Sequence, residues 1–289
     1  MGTYNCKVNL ALAEQELLIG YGEHCSADPD GLAGIGRALG EQVRVHRGDD
    51  YALYTVVELR EEKKNTDLRM ALAGRQRLGT DDSFRGVCDS DCVRHDLTDA
   101  EAEAAGEMVE RLDESSTSHT GLVVLAPHGG MIENYTDEQA ERVHSQLDGK
   151  DRSCWRCKGW KTGGGAYDRW HITSTELHGA SFPFLGDLEG RGFAYGVAFH
   201  GYGEADIAVG GAADSQLKQA VAAAIQNAVG QTYNVVVVSS GPYAGTDPDN
   251  ICNRLTANGG VQIEQPYGAR RDFGQDIADA VAAVFSALL

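Results

Sequence analysis

No apolar run in this 289-residue sequence approaches the roughly 18 to 20 residues that a membrane-spanning helix needs. The opening stretch MGTYNCKVNLALAEQ lacks the charged start, long apolar segment and cleavage site of a secretory leader. A cytoplasmic protein is therefore the expectation. Positive charge is scarce as well. Lys and Arg number 25 against 43 Asp and Glu, a net charge of −18, and only seven of those 25 are Lys. Such a surface repels nucleic acid and anionic membranes, so neither is expected as a partner. The shortage of lysine beside the acidic surplus fits solvation in a salt-rich medium.

The cysteines are odd in number, seven in all, and fall as Cys6, Cys25, the close pairs Cys88/Cys92 and Cys154/Cys157, and Cys252. A four-thiolate zinc site built from the two close pairs would have an unusual spacing, so reduced or disulfide-paired cysteines are the expectation. CWRC (154–157) has redox-motif spacing, but it stands in a Gly- and Lys-rich stretch and not at a helix start.

Two textures divide what is there. EQVRVHRG, YALYTVVELRE and DLRMALAG alternate apolar and polar residues between charged turns, the pattern of half-buried antiparallel strands. A small, mainly-β barrel or sandwich is expected over residues 1–112. No cluster of catalytic residue types forms there, which suits a binding, packing or oligomerisation role. It ends in a helix announced by a capping box, Thr98 with Glu101, and DESSTSHT (113–120) reads as a linker. Residues 120–289 then alternate short apolar runs (GLVVLAP, FAYGVAFHG, NVVVVSS, GVQIEQP) with helical segments. In DSQLKQAVAAAIQNAVG the residues Leu217, Val221, Ala224, Ile225 and Ala228 share a face; Ile277, Val281, Val284, Phe285 and Leu288 repeat the spacing. This predicts an α/β domain whose mixed, mostly parallel sheet is covered by helices, with its site beyond the carboxyl ends of the strands.

Two strands end on His-Gly. The first, VVLAPHGGMIENYTDEQ, places His128 and Glu133 in a strand-to-helix loop, with Thr136 and Gln139 as a capping box for the helix. Gly129 and Gly130 let that loop fold back so that imidazole and carboxylate converge. The second ends on His200. Two imidazoles, one carboxylate and a water form the usual open catalytic zinc site, so His128, Glu133 and His200 are the candidate ligands of one zinc ion per chain. Glu264, at the end of GGVQIEQP, would be a costly buried charge without a metal, water or cation to meet. It is the candidate general base.

Taken in order, APHGGMIE, AFHGYGEADIAVGG, DPDNICNR and GGVQIEQPYGARRD resemble the bacteriophage poly-γ-glutamate hydrolase family, whose fold is similar to that of zinc carboxypeptidases. The resemblance covers Gly121 to the C-terminus and leaves the first hundred residues unexplained. It implies zinc on His128, Glu133 and His200, with Glu264 as base for hydrolysis of γ-glutamyl amide bonds in poly-γ-glutamate or a similar anionic polyamide. The oxyanion then needs a positive neighbour, for which Arg254 or Arg270 is available. An acidic protein must concentrate positive charge at a cleft for a polyanion. Arg254 and Arg270, with Asn253 as a neutral donor, are the candidate substrate contacts, whereas Arg271 reads as a surface ion pair. A polymer-degrading enzyme is most useful outside the cell, which would require release. The stretch GKDRSCWRCKGWKTGGGAYDRWHITSTELHG reads as a mobile flap, stiffened by a disulfide between Cys154 and Cys157 or from either to Cys88 or Cys92. His171 and His178 within it are read as non-ligands. The alternatives are a zinc amidase acting on a cell-wall peptide or acylated amino acid, and a non-catalytic carboxylate-binding module. Retention of Glu264 argues against the last.

Overall fold

The computed structural model describes residues 2–115 and 119–289, so the centre of the expected linker, residues 116–118, lies outside the described residues. Two compact units form: residues 1–94 with 165–183, and residues 95–164 with 184–289.

The first unit contains β1 (Thr3–Leu10), β2 (His24–Ala27), α1 (Pro29–Gly34), β3 (Gln42–Arg47) and β4 (Asp50–Leu59), followed by β5 (Asp67–Met70), α2 (Leu72–Gln76) and β6 (Phe84–Asp89). The strands close into a barrel in the order β1-β5-β2-β4-β3-β6, which leaves no open edge. Val8, Val43, Val45, Tyr54, Val56, Leu68 and Met70 fill its interior. The mainly-β expectation holds in a barrel form.

The second unit begins earlier than the sequence suggests. Its elements are α3 (Asp99–Ala105), β7 (Met108–Glu114), β8 (Leu122–Gly130), α4 (Thr136–Gln146) and β9 (Arg152–Gly159). After α5 (Ala166–Trp170), which belongs to the first unit, come α6 (Pro183–Gly186), β10 (Tyr195–Tyr202), β11 (Ile207–Gly210) and α7 (Ser215–Val229). The chain finishes with β12 (Val235–Val237), α8 (Ile251–Arg254), β13 (Val261–Pro266) and α9 (Tyr267–Ser286). The capping box of Thr98 and Glu101 starts α3 as expected. However, α3 and β7 belong to this unit, because β7 pairs antiparallel with β9, Leu112 opposite Trp155. The boundary expected after residue 112 therefore moves to Arg94/His95.

The sheet order is β12-β11-β13-β10-β8-β9-β7. Neighbours among β13, β10, β8 and β9 are parallel, β11 pairs antiparallel with β13, and β7 pairs antiparallel with β9, so the sheet is mixed. Against it α4, α9 and α7 pack side by side. On α9 the stripe Ile277, Ala278, Val281, Ala282 and Phe285 is buried, whereas Leu288 is exposed.

The expected flap is corrected over its first third. Residues Arg152–Gly159 are a fully buried strand between β8 and β7. Its charges disguise it in the sequence, but alternation places Arg152, Arg156 and Lys158 on one face. There Arg152 donates to the His144 carbonyl at 2.6 Å, and Arg156 pairs with Asp113 at 2.6 Å and Glu141 at 3.2 Å. Lys158 meets Asp99, Asp137 and Glu141 at 2.8, 3.0 and 2.8 Å. On the other face the Trp155 indole donates to Glu110 at 2.7 Å. Glu110 is fully buried and also accepts from His95 (2.9 Å), Phe184 N (3.1 Å) and Leu185 N (2.8 Å). It thus ties β7, β9 and α6 together.

No disulfide forms: all seven cysteines are free and buried. Cys154 and Cys157 stand three apart in a strand and so face opposite sides. Cys88 lies in the barrel core and Cys154 in the core of the sheet. Burial pushes Cys6 and Cys92 up to about 12 and Cys154 to about 11, and a protonated thiol is a poor nucleophile. Native protein should therefore react negligibly with an aromatic disulfide reagent, while unfolded protein should titrate all seven thiols. A denatured count two short of that would mean a disulfide.

Candidate active site

His128 lies at the carboxyl end of β8, where the register against β9 shifts between Ala126 and Gly129. A bulge of this kind re-aims a side chain. Glycine is required next. A Cβ on Gly129 would stand 2.6 Å from Asp137 Cβ and 2.9 Å from the Cys157 carbonyl, and Gly130 has φ +67°. The loop is closed by two backbone donations, Gly130 N to Asp137 Oδ1 at 3.0 Å and Glu133 N to the His128 carbonyl at 2.8 Å. Glu133 is thereby returned to the histidine that precedes it by five residues. The expected capping box is absent. Tyr135, at φ +77°, caps α4 without a side-chain bond. Thr136 instead donates to the Glu133 carbonyl at 2.9 Å, and Gln139 exchanges amide hydrogen bonds with Gln265 at 2.8 and 2.9 Å.

β10 delivers His200 to the same place. Glu133 Oε1 is 3.0 Å from His128 Nδ1, and Glu133 Oε2 is 3.5 Å from His200 Nδ1. The two imidazole centroids are 5.1 Å apart. All three residues are buried. Two atoms each about 2.0 to 2.1 Å from a tetrahedral zinc ion stand about 3.3 Å apart, and the two observed separations bracket that value. The donor set also suits zinc, which takes imidazole nitrogen and carboxylate oxygen. These residues fit the metal expected of them.

Glu264 is the direct neighbour of His200 in the parallel pair β10–β13. It is 7 % exposed, and Gln262 Nε2 donates to its Oε1 at 2.8 Å. Burial, with help from the Glu133 charge and against the two histidines, pushes the Glu264 carboxyl up to about 7. Burial acts the same way on Glu133, but His128 and His200 outweigh it and hold that carboxyl well below the usual range. For His200, burial favours the neutral ring, but the bond to Glu133 together with the Glu264 and Glu133 charges outweighs it, so its pKa is raised.

Arg270 also arrives here. It lies in the first turn of α9, its Nη1 donates to the Asn134 carbonyl at 2.7 Å, and its guanidinium lies against Gly201. A Cβ on Gly201 would fall 2.3 Å from Arg270 Cζ, so the glycine after His200 makes room for the cation. Gly201 N donates to Glu133 Oε2 at 2.8 Å, joining the ends of β10 and the loop. Burial lowers the Arg270 pKa, opposed by the nearby Glu133 and Glu264 charges. Arg271 forms a two-pronged pair with Asp272, 2.7 Å at each prong, and is half exposed, as expected of a surface ion pair.

Asn253 and Arg254 are not brought to this site. Gly196, near the amino end of β10, and Gly260, just before β13, face α8: Cβ atoms there would lie 3.3 Å from the Cys252 carbonyl and 2.2 Å from its sulfur. His200 and Glu264 stand nearer the opposite ends of those strands. Asn253 is occupied as a loop clamp, accepting from Ala212 N and Gly260 N at 3.0 and 3.1 Å and donating to the Gly245 and Asp247 carbonyls at 2.7 Å each. Arg254 donates to the Asp249 carbonyl at 2.8 Å and pairs with Glu189 at 3.2 Å.

Residues 96–282 match the poly-gamma-glutamate hydrolase family. The chain belongs to this family. Among curated relatives, the UPF0714 protein YndL of Bacillus subtilis (strain 168) is 32 % identical over 160 residues, 54 % of this chain. The match spans 58 % of that relative's length. A solved structure of YndL in its apo, zinc-free form is 25 % identical, with a TM-score of 0.50, covering 61 % of this chain and 88 % of the other. A bacteriophage poly-gamma-glutamate hydrolase is similar at 24 % identity and a TM-score of 0.49, covering 61 % of this chain and 87 % of that one. The family region contains all of His128, Glu133, His200, Glu264 and Arg270, and it begins within two residues of the second unit's own start. The barrel strands lie outside it.

Sequence reasoning missed Gln262 and Asn250. Gln262 was detectable from its position two residues before Glu264, on the same face of the strand. Asn250 lies within the motif DPDNICNR, but its contact with Gln262 depends on how the loop before β13 folds back, which no local pattern announces.

Proposed function

We propose that this chain is a zinc-dependent hydrolase of γ-glutamyl amide bonds in poly-γ-glutamate or a similar acidic polyamide. The observation that carries the reading is Glu133 set between two buried imidazoles, with Glu264 on the adjoining strand. His128, Glu133 and His200 would hold the ion. When bound, zinc supplies a Lewis acid that polarises the amide carbonyl and makes water acidic enough to react near neutral pH. Glu264 takes the proton from the attacking water on the oxygen that Gln262 leaves open, and returns it to the departing amine. Burial excludes competing water around the base. Arg270, whose guanidinium lies against Gly201 beside His200, would offer positive charge to the oxyanion or to a substrate carboxylate.

A second reading draws support from the cavity beside the base. A space of about 340 Å³ is lined by Tyr202, Glu204, Asp206, Ala208 and Tyr243 among others, with no basic side chain; Ala208 is the register partner of Glu264. Such a lining suits a leaving group that carries positive charge, as in an amidase acting on a cell-wall-type peptide. The two readings separate when kcat/KM is compared on poly-γ-glutamate and on a γ-glutamyl peptide whose leaving residue has a basic side chain. The first predicts preference for the polymer; the reverse preference, at about tenfold or more, would establish the second.

A further inference from the structure

The hydrogen bonds behind Glu264 have a fixed direction. Asn250 caps α8, and its Oδ1 accepts from Cys252 N at 3.0 Å. With that oxygen committed to a backbone donor, the amide orientation of Asn250 is set, and its Nδ2 donates to Gln262 Oε1 at 2.7 Å. The Gln262 amide is fixed in turn, leaving Nε2 to donate to Glu264 Oε1 at 2.8 Å. Asn250, Gln262 and Glu264 are 4, 6 and 7 % exposed. Gly245, at φ +60°, packs against the Gln262 amide, where a Cβ would fall 2.7 Å from its Cδ.

We propose that Asn250 and Gln262 are positioning residues for Glu264: a helix-cap backbone N–H sets the polarity of the relay, so that a donor always faces the carboxylate. One Glu264 oxygen is held, and the other points its lone pairs at the proton to be moved. The inference rests on the reading of Glu264 as the base. A purely structural role would need only that these buried amides be satisfied, in whichever direction.

Asn250→Asp distinguishes the two. Aspartate caps a helix as well as asparagine does, so Cys252 N stays satisfied, but its second oxygen accepts instead of donating. Gln262 then turns its Nε2 toward residue 250 and its Oε1 toward Glu264, setting an acceptor against the carboxylate. The expected result is a fall in kcat of about 10- to 100-fold, as for other hydrogen-bonded partners of site residues, with KM and zinc content close to wild type. Gln262→Met, which removes the donor without reversing it, should lower kcat with the same unchanged KM and zinc content and serves if the aspartate variant folds poorly. Wild-type kcat in a folded Asn250→Asp protein overturns the positioning inference and leaves the functional reading standing. A wild-type protein inert toward γ-glutamyl amides overturns that reading, and with it the role of Glu264.

Discussion

Replacing Glu264 with Gln should lower kcat by about 10² to 10⁴-fold, the range that a positioned general base contributes, while zinc content and KM change little. The substitution is close to isosteric. Its carbonyl oxygen can still accept from Gln262 Nε2, the bond seen at 2.8 Å in the native site, and residue 264 stays beside His200 on the parallel strand. What is lost is the capacity to take a proton. The three ligand candidates are untouched, because Glu133 draws its contacts from His128, His200 and Gly201 N. A Glu264→Gln protein that binds zinc and keeps more than a tenth of wild-type kcat would remove Glu264 from the base role. It would also remove the main argument against a non-catalytic carboxylate-binding module, which needs no base at all.

The largest effect on stability should come from Glu110→Ala. Its carboxylate accepts four hydrogen bonds, from Trp155 Nε1, His95 Nε2 and the backbone N–H groups of Phe184 and Leu185. Removing it strands buried donors, each costing about 1 to 3 kcal/mol when unsatisfied, and a total loss of about 3 to 5 kcal/mol is expected by analogy with other broken buried charge networks. In a unit of this size that corresponds to a Tm lower by about 10 °C. Denaturant unfolding followed by tryptophan fluorescence reports it directly, since Trp155 is one of the donors. A loss below about 1 kcal/mol would mean that water or a neighbouring carbonyl takes over the four donors, and that Glu110 does not tie β7, β9 and α6 together.

The meeting of His128, Glu133, His200 and Glu264 at the strand ends was legible because it obeys local rules. An apolar run ending on His-Gly marks a strand terminus with a reactive side chain, and the structure adds the reason for each glycine: Gly129 yields to Asp137 and Gly201 yields to Arg270. Glu264 was legible as a carboxylate in an otherwise buried strand. Asn253 and Arg254 misled because they end a family-like motif ten residues before Glu264, whereas strand direction decides which end of the sheet a residue occupies. β9 was hidden by its charges. The groups that neutralise Arg156 and Lys158 come from α4, α3 and β7, and no local pattern announces partners so distant in sequence. The false capping box at Thr136 and Gln139 has a similar origin, because the Gln139 amide is bound to Gln265, 126 residues away. In the barrel, alternation revealed β3, β4 and β5; closure depends on the pairing of β1 with β6, which brings together opposite ends of the unit.

On the function proposed here, His128, Glu133 and His200 would hold a zinc ion that serves hydrolysis of γ-glutamyl amides. Its most direct test is the chain length of poly-γ-glutamate after incubation with the purified protein at high salt, with and without a zinc chelator. Shortening of the polymer that the chelator abolishes and added zinc restores is the predicted result. An intact polymer in the presence of protein carrying one zinc per chain would contradict the substrate, and shortening that persists after the zinc is removed would contradict the metal.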